Sequence, residues 1–135
     1  MPGMRYPRKM INGVPVVSAP TEVDITNAEE LRQVLLDAGG RGHPTVVLDM
    51  ARTGFCDSAG MNTMLSAHRR AQAEGGELRI VVPACGPVPR AFALICLDRV
   101  IPCFTSLGEA LAETPAAANL AQVIALSAYR RRRQR

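Results

Sequence analysis

Thr45-Val46-Val47-Leu48-Asp49-Met50, then Asp57-Ser58-Ala59-Gly60 opening a stretch that runs to Ala73, then Gly75-Gly76 and Glu77-Leu78-Arg79-Ile80-Val81-Val82, is the part of the sequence that decides the fold. The first piece is a β-branched apolar run, short enough to be a strand buried on both faces. Ala51 to Cys56 reads as a loop. Met61, Met64, Leu65 and His68 recur on one helical face, and Gly75-Gly76 stops that helix. Glu77 to Val82 is a second strand, cut by Pro83. A strand, a helix and a strand in this order predict a parallel pair with a crossover helix.

The pattern continues on both sides. A third helix is expected from Pro87 to about Leu97, with Val88, Phe92 and Ile95 as its buried stripe. Val100 to Phe104 reads as a short strand, and Ser106-Leu107-Gly108-Glu109 as a capping box opening a helix through Ala112. Upstream, Val14 to Ala19 reads as a strand in which Pro15 marks an edge or a strand start, since proline cannot donate a ladder hydrogen bond. Thr26-Asn27-Ala28-Glu29 reads as another capping box, followed by Leu31, Val34 and Leu35 at helical spacing and by Gly39-Gly40 as the stop. The order β-α-β-α-β-α-β-α predicts an α/β fold: a mainly parallel sheet of four to five strands with about four helices. The expected limits are an N-terminal segment 1–13, one domain over 14–114 closed by Pro115, and a basic extension 115–135. An amphipathic helix is expected within that extension, with Leu120, Val123, Ile124, Leu126 and Ser127 on its stripe.

Composition narrows the function. Of the 135 residues 47% are hydrophobic but only 4% aromatic, with no Trp, so the core must be aliphatic and an aromatic-lined ligand pocket is disfavoured. The net charge of +4 is carried by Arg130, Arg131, Arg132, Arg133 and Arg135; without these five the 16 basic residues fall below the 12 acidic ones. A basic tail without interleaved aromatics does not describe a base-stacking surface, so no nucleic-acid partner is expected. Cys56, Cys85, Cys96 and Cys103 show no C-x-x-C spacing, and His43 and His68 complete no zinc pattern. Each thiol is expected to be buried and reduced. His68 is expected on a helix flank. No cofactor or metal is expected. With no apolar run after the basic residues of the N-terminus and none long enough to span a bilayer, the expected location is cytoplasmic, without membrane contact.

The chemistry concentrates at Asp57-Ser58. Either residue can cap the helix that begins there, and a plain cap explains both. A serine in a first helical turn is also a good phosphate acceptor, because the phosphate meets the positive end of the helix macrodipole. A phosphoserine adds roughly −1.5 to −2 charges, which beside Asp57 would repel an acidic partner surface and occlude a flat one with the fold intact.

Val46 to Asp49, Phe55-Cys56-Asp57-Ser58-Ala59-Gly60-Met61 and Gly75-Gly76-Glu77-Leu78 together resemble the STAS domain of bacterial anti-sigma factor antagonists. Glu22-Val23-Asp24, followed by Thr26-Asn27-Ala28 and Leu31, is similar to that family's acidic loop entering its first helix. Pro87 to Phe92, Leu97 to Ile101 and Ser106 to Leu111 resemble its later elements. The resemblance covers about 14–112. It implies a non-enzymatic protein that binds an anti-sigma factor, itself a serine kinase of GHKL type, and so releases a sigma factor. It also implies inactivation by phosphorylation of Ser58 and resetting by a PP2C-type phosphatase. The partner surface it implies comprises Asp24, Thr26, Asp57, Ser58, Ala59, Gly60, Met61 and Asn62; Met61 is equally readable as core. The sequence departs from the family at Ala59, often a second serine, at Thr21 and Cys96, often glycines, and in showing no clear first strand before residue 13.

Three other readings compete. A receiver domain phosphorylated on Asp49 would need an acidic pair after the first strand to hold Mg²⁺, where the sequence has Ser18-Ala19-Pro20, and a later lysine, where the only lysine is Lys9. A serine hydrolase would need a Gly-x-Ser-x-Gly elbow and a placed histidine. A STAS module acting as sensor or scaffold without kinase control shares the fold but not the switch.

Overall fold

The computed structural model describes residues 6–40 and 43–112. A five-stranded sheet forms the centre: β1 (Arg8–Ile11), β2 (Val14–Ser18), β4 (Val46–Asp49), β6 (Leu78–Val81) and β7 (Cys103–Phe104), in that spatial order. β1 runs antiparallel to β2 and every other pairing is parallel. A separate parallel pair, β3 (Glu22–Val23) and β5 (Phe55–Cys56), sits on the loops that follow β2 and β4. The helices are α1 (Ala28–Gly39), α2 (Ser58–Ala73), α3 (Pro87–Leu94) and α4 (Leu107–Ala112).

Alternation along the strands builds two cores, since successive side chains point to opposite faces. Val17, Val46, Leu48, Leu78, Ile80 and Val82 pack under α1, α2 and α3, against Leu31, Leu35, Met61, Met64, Val88 and Phe92. Val14, Val16, Val47 and Val81 occupy the other face with Ala110 of α4. Burial of each such aliphatic side chain contributes about 1.5–3 kcal/mol, so the sheet interior dominates the stabilisation. Arg79 shares this second face. It is 1% exposed, its Nε donates to Glu77 at 2.7 Å, its Nη1 donates to the Ala110 carbonyl at 2.8 Å, and its guanidinium lies over Phe104.

The mainly parallel sheet and four helices agree with the sequence. Several details differ. β1 lies in the segment before residue 14, and Tyr6, 1% exposed, shares its one hydroxyl proton between the Asn27 carbonyl and Glu30 Oε1. The strand is hard to read because Arg8, Lys9 and Met10 are exposed and show no apolar alternation. Pro15 marks neither an edge nor a strand start: it is the second residue of the interior strand β2, opposite Met10 of β1, and β2 pairs with β4 only from Val16 onward. The expected loop from Ala51 to Cys56 contains β5, whose two residues are too short for a period-2 signal.

The box at Thr26 does not form. Thr26 instead donates its backbone and hydroxyl protons to Asp24, α1 begins at Ala28 after Asn27, and Glu29 is taken up by Arg32 and Gln33. The one at Ser106 does form in part, the Glu109 N–H donating to Ser106 Oγ at 3.1 Å. Ile95 lies outside the buried stripe, because α3 stops at Leu94 and the chain turns at Cys96, whose φ is 61°. Cys85 and Cys96, in the turns flanking α3, are exposed rather than buried. His68 is 1% exposed, in the core and not on the flank, its Nδ1 accepting from Leu78 N–H at 3.1 Å. The expected domain end at 114, the amphipathic helix and the arginine run lie outside the described residues.

Candidate functional site

β4 ends at Asp49, and its carboxylate accepts from Ala51 N–H at 3.0 Å, turning the chain away from the sheet. Thr53 then ties this turn to the one after β2: its N–H donates to the Met50 carbonyl and its hydroxyl to the Pro20 carbonyl. The Gly54 N–H donates to Thr21, so the chain enters β5 in register with β3, Glu22 opposite Phe55 and Val23 opposite Cys56. The Asp57 N–H continues the ladder to the Val23 carbonyl at 3.1 Å. The small parallel pair thus delivers Asp57 to the start of α2 and Asp24 to the start of α1, side by side.

Asp57 is the cap of α2. Its backbone is extended (φ −94°, ψ −175°), and its Oδ1 accepts from Gly60 N–H at 3.0 Å, satisfying one of the first-turn amides. Its Oδ2 accepts from Ile25 N–H at 3.3 Å, which stitches the β3–α1 loop to α2. That loop is held from within as well. The Asp24 carbonyl accepts from Asn27 and Ala28, Asn27 Oδ1 accepts from Asp24 N–H, and Asn27 Nδ2 donates to the Glu22 carbonyl. The hydrogen bonds from Thr26 hold the Asp24 carboxyl below the usual carboxylate range. Thr63 Oγ1 donates to the Ala28 carbonyl at 3.0 Å, locking α2 against the start of α1.

Ser58, the first residue of α2, is exposed. Asp24, Thr26, Asp57 and Asn62 also reach the surface in this region, and Ala59 is half-buried. Gly60 and Met61 are buried. A Cβ on Gly60 would stand 2.7 Å from Val23 Cγ1 and 2.8 Å from Cys56 Sγ, so glycine here permits α2 to touch the small sheet. Met61 packs in the main core.

Ile25 and Phe55 were absent from the sequence reading of this surface. They are 78% and 49% exposed, and they flank Asp57 through the Ile25 hydrogen bond and the β5 strand. Their apolar character argues for burial, and only the loop geometry turns them out.

His68 offers no base here: it lies ten residues along α2, about 15 Å by helical rise, and is bonded within the core. Among the described residues no group of three His, Cys, Asp or Glu side chains stands ready for a metal. No helix among them is long and apolar enough to cross a membrane.

The family model for the STAS domain matches residues 6–110. The chain belongs to the STAS domain family. The STAS match begins at Tyr6, ahead of β1. An anti-sigma factor antagonist from Mycobacterium paratuberculosis is 26% identical with a TM-score of 0.72, over 81% of this chain and 92% of that one. A candidate anti-sigma factor antagonist from Thermotoga maritima is 22% identical with a TM-score of 0.73, over 81% and 93%. The Bacillus cell fate determinant SpoIIAA in its phosphorylated form is 21% identical with a TM-score of 0.58, over 79% and 96%. The last two likenesses bear on the fold alone. A search of curated proteins finds no match. Residues 6–110 thus form a STAS domain whose structural neighbours include anti-sigma factor antagonists.

Proposed function

We propose that this protein is an anti-sigma factor antagonist that acts by binding, not by catalysis, and that Ser58 is its phosphorylation switch. The observation that carries this reading is the exposed Ser58 hydroxyl at the first position of α2, with its neighbour Asp57 already serving as the cap. Because capping does not need the serine, its hydroxyl is left for modification. The partner is an anti-sigma factor with serine kinase activity of the GHKL type, and binding it frees a sigma factor in the cytoplasm. Phosphate on Ser58 adds roughly −1.5 to −2 charges beside Asp57 and Asp24 and blocks that contact, without any rearrangement of the core. A PP2C-type phosphatase restores binding. The same surface includes Asp24, Thr26 and Asn62, with Ala59 at its floor; Gly60 and Met61 support it from below. The 26% identity to the mycobacterial antagonist supports the reading.

Intact-mass and peptide mapping of protein purified from its native host with phosphatase inhibitors tests it. Acid-stable phosphate on Ser58 is expected. Ser58→Asp is expected to fold normally and bind the kinase weakly, and Ser58→Ala to bind and resist inactivation. Undiminished binding by Ser58→Asp, or phosphate on Asp49 in place of Ser58, sinks the proposal.

A further inference from the structure

We infer that residues 116–127 of this chain fold back onto an apolar patch made by Leu94, Ile95 and Val100, and that this segment is the resident partner of the patch. Single exposed apolar residues are common on protein surfaces and carry little meaning. These three are held together by the backbone. Leu94 ends α3 and Ile95 follows it directly. The Arg99 N–H then donates to the Cys96 carbonyl and the Val100 N–H to the Leu97 carbonyl. Such hydrogen-bonded turns bring Val100 back to within about 7 Å of Leu97, Cα to Cα. Leu97 and Ile101 root the turn in the core at 5% and 0% exposure, while Leu94, Ile95 and Val100 stand out at 79%, 56% and 52%. Three of the six exposed large apolar side chains among the described residues thus share one pinned turn.

The occupant follows from where α4 leaves the chain. Ile80 pairs with Cys103, so Arg79, one residue earlier in β6, stands level with Pro102. The Arg79 guanidinium donates to the Ala110 carbonyl, which brings the last turn of α4 to that same level, near the outermost strand β7. α4 therefore runs back toward the end of the sheet where Val100 leads into β7. Pro115 cannot extend the hydrogen-bond ladder of α4. Residues 113–119 can span at most about 23–25 Å, ample to pass the β7 edge. Beyond them Leu120, Val123 and Ile124 recur at i, i+3 and i+4 among alanines, three apolar side chains on one helical stripe. A helix of about twelve residues is marginal alone in water and draws its stability from packing. The tether presents the stripe to the patch at a roughly millimolar effective concentration, ahead of any free partner. Ser58 comes after the end of β4 and Val100 before the start of β7, and these strands run parallel to β6. The cover and the Ser58 surface thus occupy opposite ends of the sheet.

The sequence contains no Trp, so Leu120→Trp in the full chain supplies a single reporter. Its emission and its quenching by acrylamide are read over a range of protein concentrations. A blue-shifted band is expected, quenched several-fold more slowly than in the same chain carrying Leu94→Ser, Ile95→Ser and Val100→Ser. Circular dichroism is expected to find that triple variant folded, because all three side chains are exposed on the domain. Val123→Ser with Ile124→Ser is expected to release the reporter equally while leaving the patch untouched. Local opening of so short a cover is slow against fluorescence and fast against chemical modification, so the Cys96 thiol in the same turn keeps its reactivity. Emission typical of an indole in water, or quenching that the patch substitutions leave unchanged, overturns the inference. Protection that appears only as protein concentration rises makes a second copy the occupant and overturns it too, as does protection that needs added phosphatidylglycerol vesicles.

Discussion

Asp57 and Gly60 show how much of the site rests on two small residues. Asp57 accepts two backbone protons from different elements, so Asp57→Ala removes the cap of α2 and the tether of the Ile25 loop together. Urea denaturation is expected to show a loss of about 1 kcal/mol, and Asp57→Asn, which keeps an acceptor oxygen, much less. For Gly60→Ala two effects oppose. Alanine gains up to about 1 kcal/mol in helix propensity, but its Cβ would press on Val23 Cγ1, Cys56 Sγ and the Val23 carbonyl oxygen at 3.3 Å. Val23 is fully buried and cannot give way, so the variant is expected to be less stable by about 1–3 kcal/mol in the same measurement. The cap at Asp57-Ser58 was legible in the sequence because capping depends on residue type and position alone. The exposure of Ile25 was not legible, since it is decided by hydrogen bonds from Asp24, Asn27 and Asp57 that cross the loop.

At the scale of elements, α4 is the helix fastened to the second face of the sheet, and its fastening is a buried charge. Breaking a buried ion pair by removing one partner costs about 3–5 kcal/mol, so Arg79→Ala is expected to lower stability by several kcal/mol in chemical denaturation. Loss of the bond to the Ala110 carbonyl would loosen α4 first. No local pattern announces Arg79, which occupies a strand position where alternation predicts an apolar residue. The short elements escaped sequence reading for a related reason. β3 and β5 have two residues each, and what makes them strands is each other. The turns around α3 leave a chemical signature. Ellman's reagent at pH 8 is expected to react promptly with Cys85 and Cys96, slowly with the half-buried Cys103, and with Cys56 only on unfolding. Burial pushes the Cys56 and Cys103 thiols up to about 12 from an ordinary 9.0. The unfolded chain would therefore ionise first as pH rises. Stability from these groups is complete below pH 9 and is lost between 9 and about 12, which a series of denaturation curves at rising pH would reveal.

Over the whole molecule, the parallel sheet and the helix order were readable from periodicity, because long apolar runs such as Thr45 to Met50 dominate their own fate. The first strand was not, because its outward residues are polar and its partner lies beyond the Asn12-Gly13 turn. Its contribution is nonetheless structural: deletion of residues 1–11 removes the Tyr6 hydrogen bonds to Asn27 and Glu30 and the whole β1–β2 ladder. That truncation is expected to lower the thermal midpoint by at least 4–8 °C, the shift that about 1 kcal/mol produces in a domain of this size. A remnant beginning at residue 12 and melting like the full chain would contradict the placement of β1 in the fold. The same strand governs how the protein behaves when it is crowded against copies of itself. Unpaired strand margins invite polymerisation, and here one margin carries Arg8 and Lys9, with Arg8 engaged to Asp37 across the surface, while the other, β7, is two residues long. Neither margin offers a long flat template, so a concentrated solution has little means of extending the sheet from one molecule into the next.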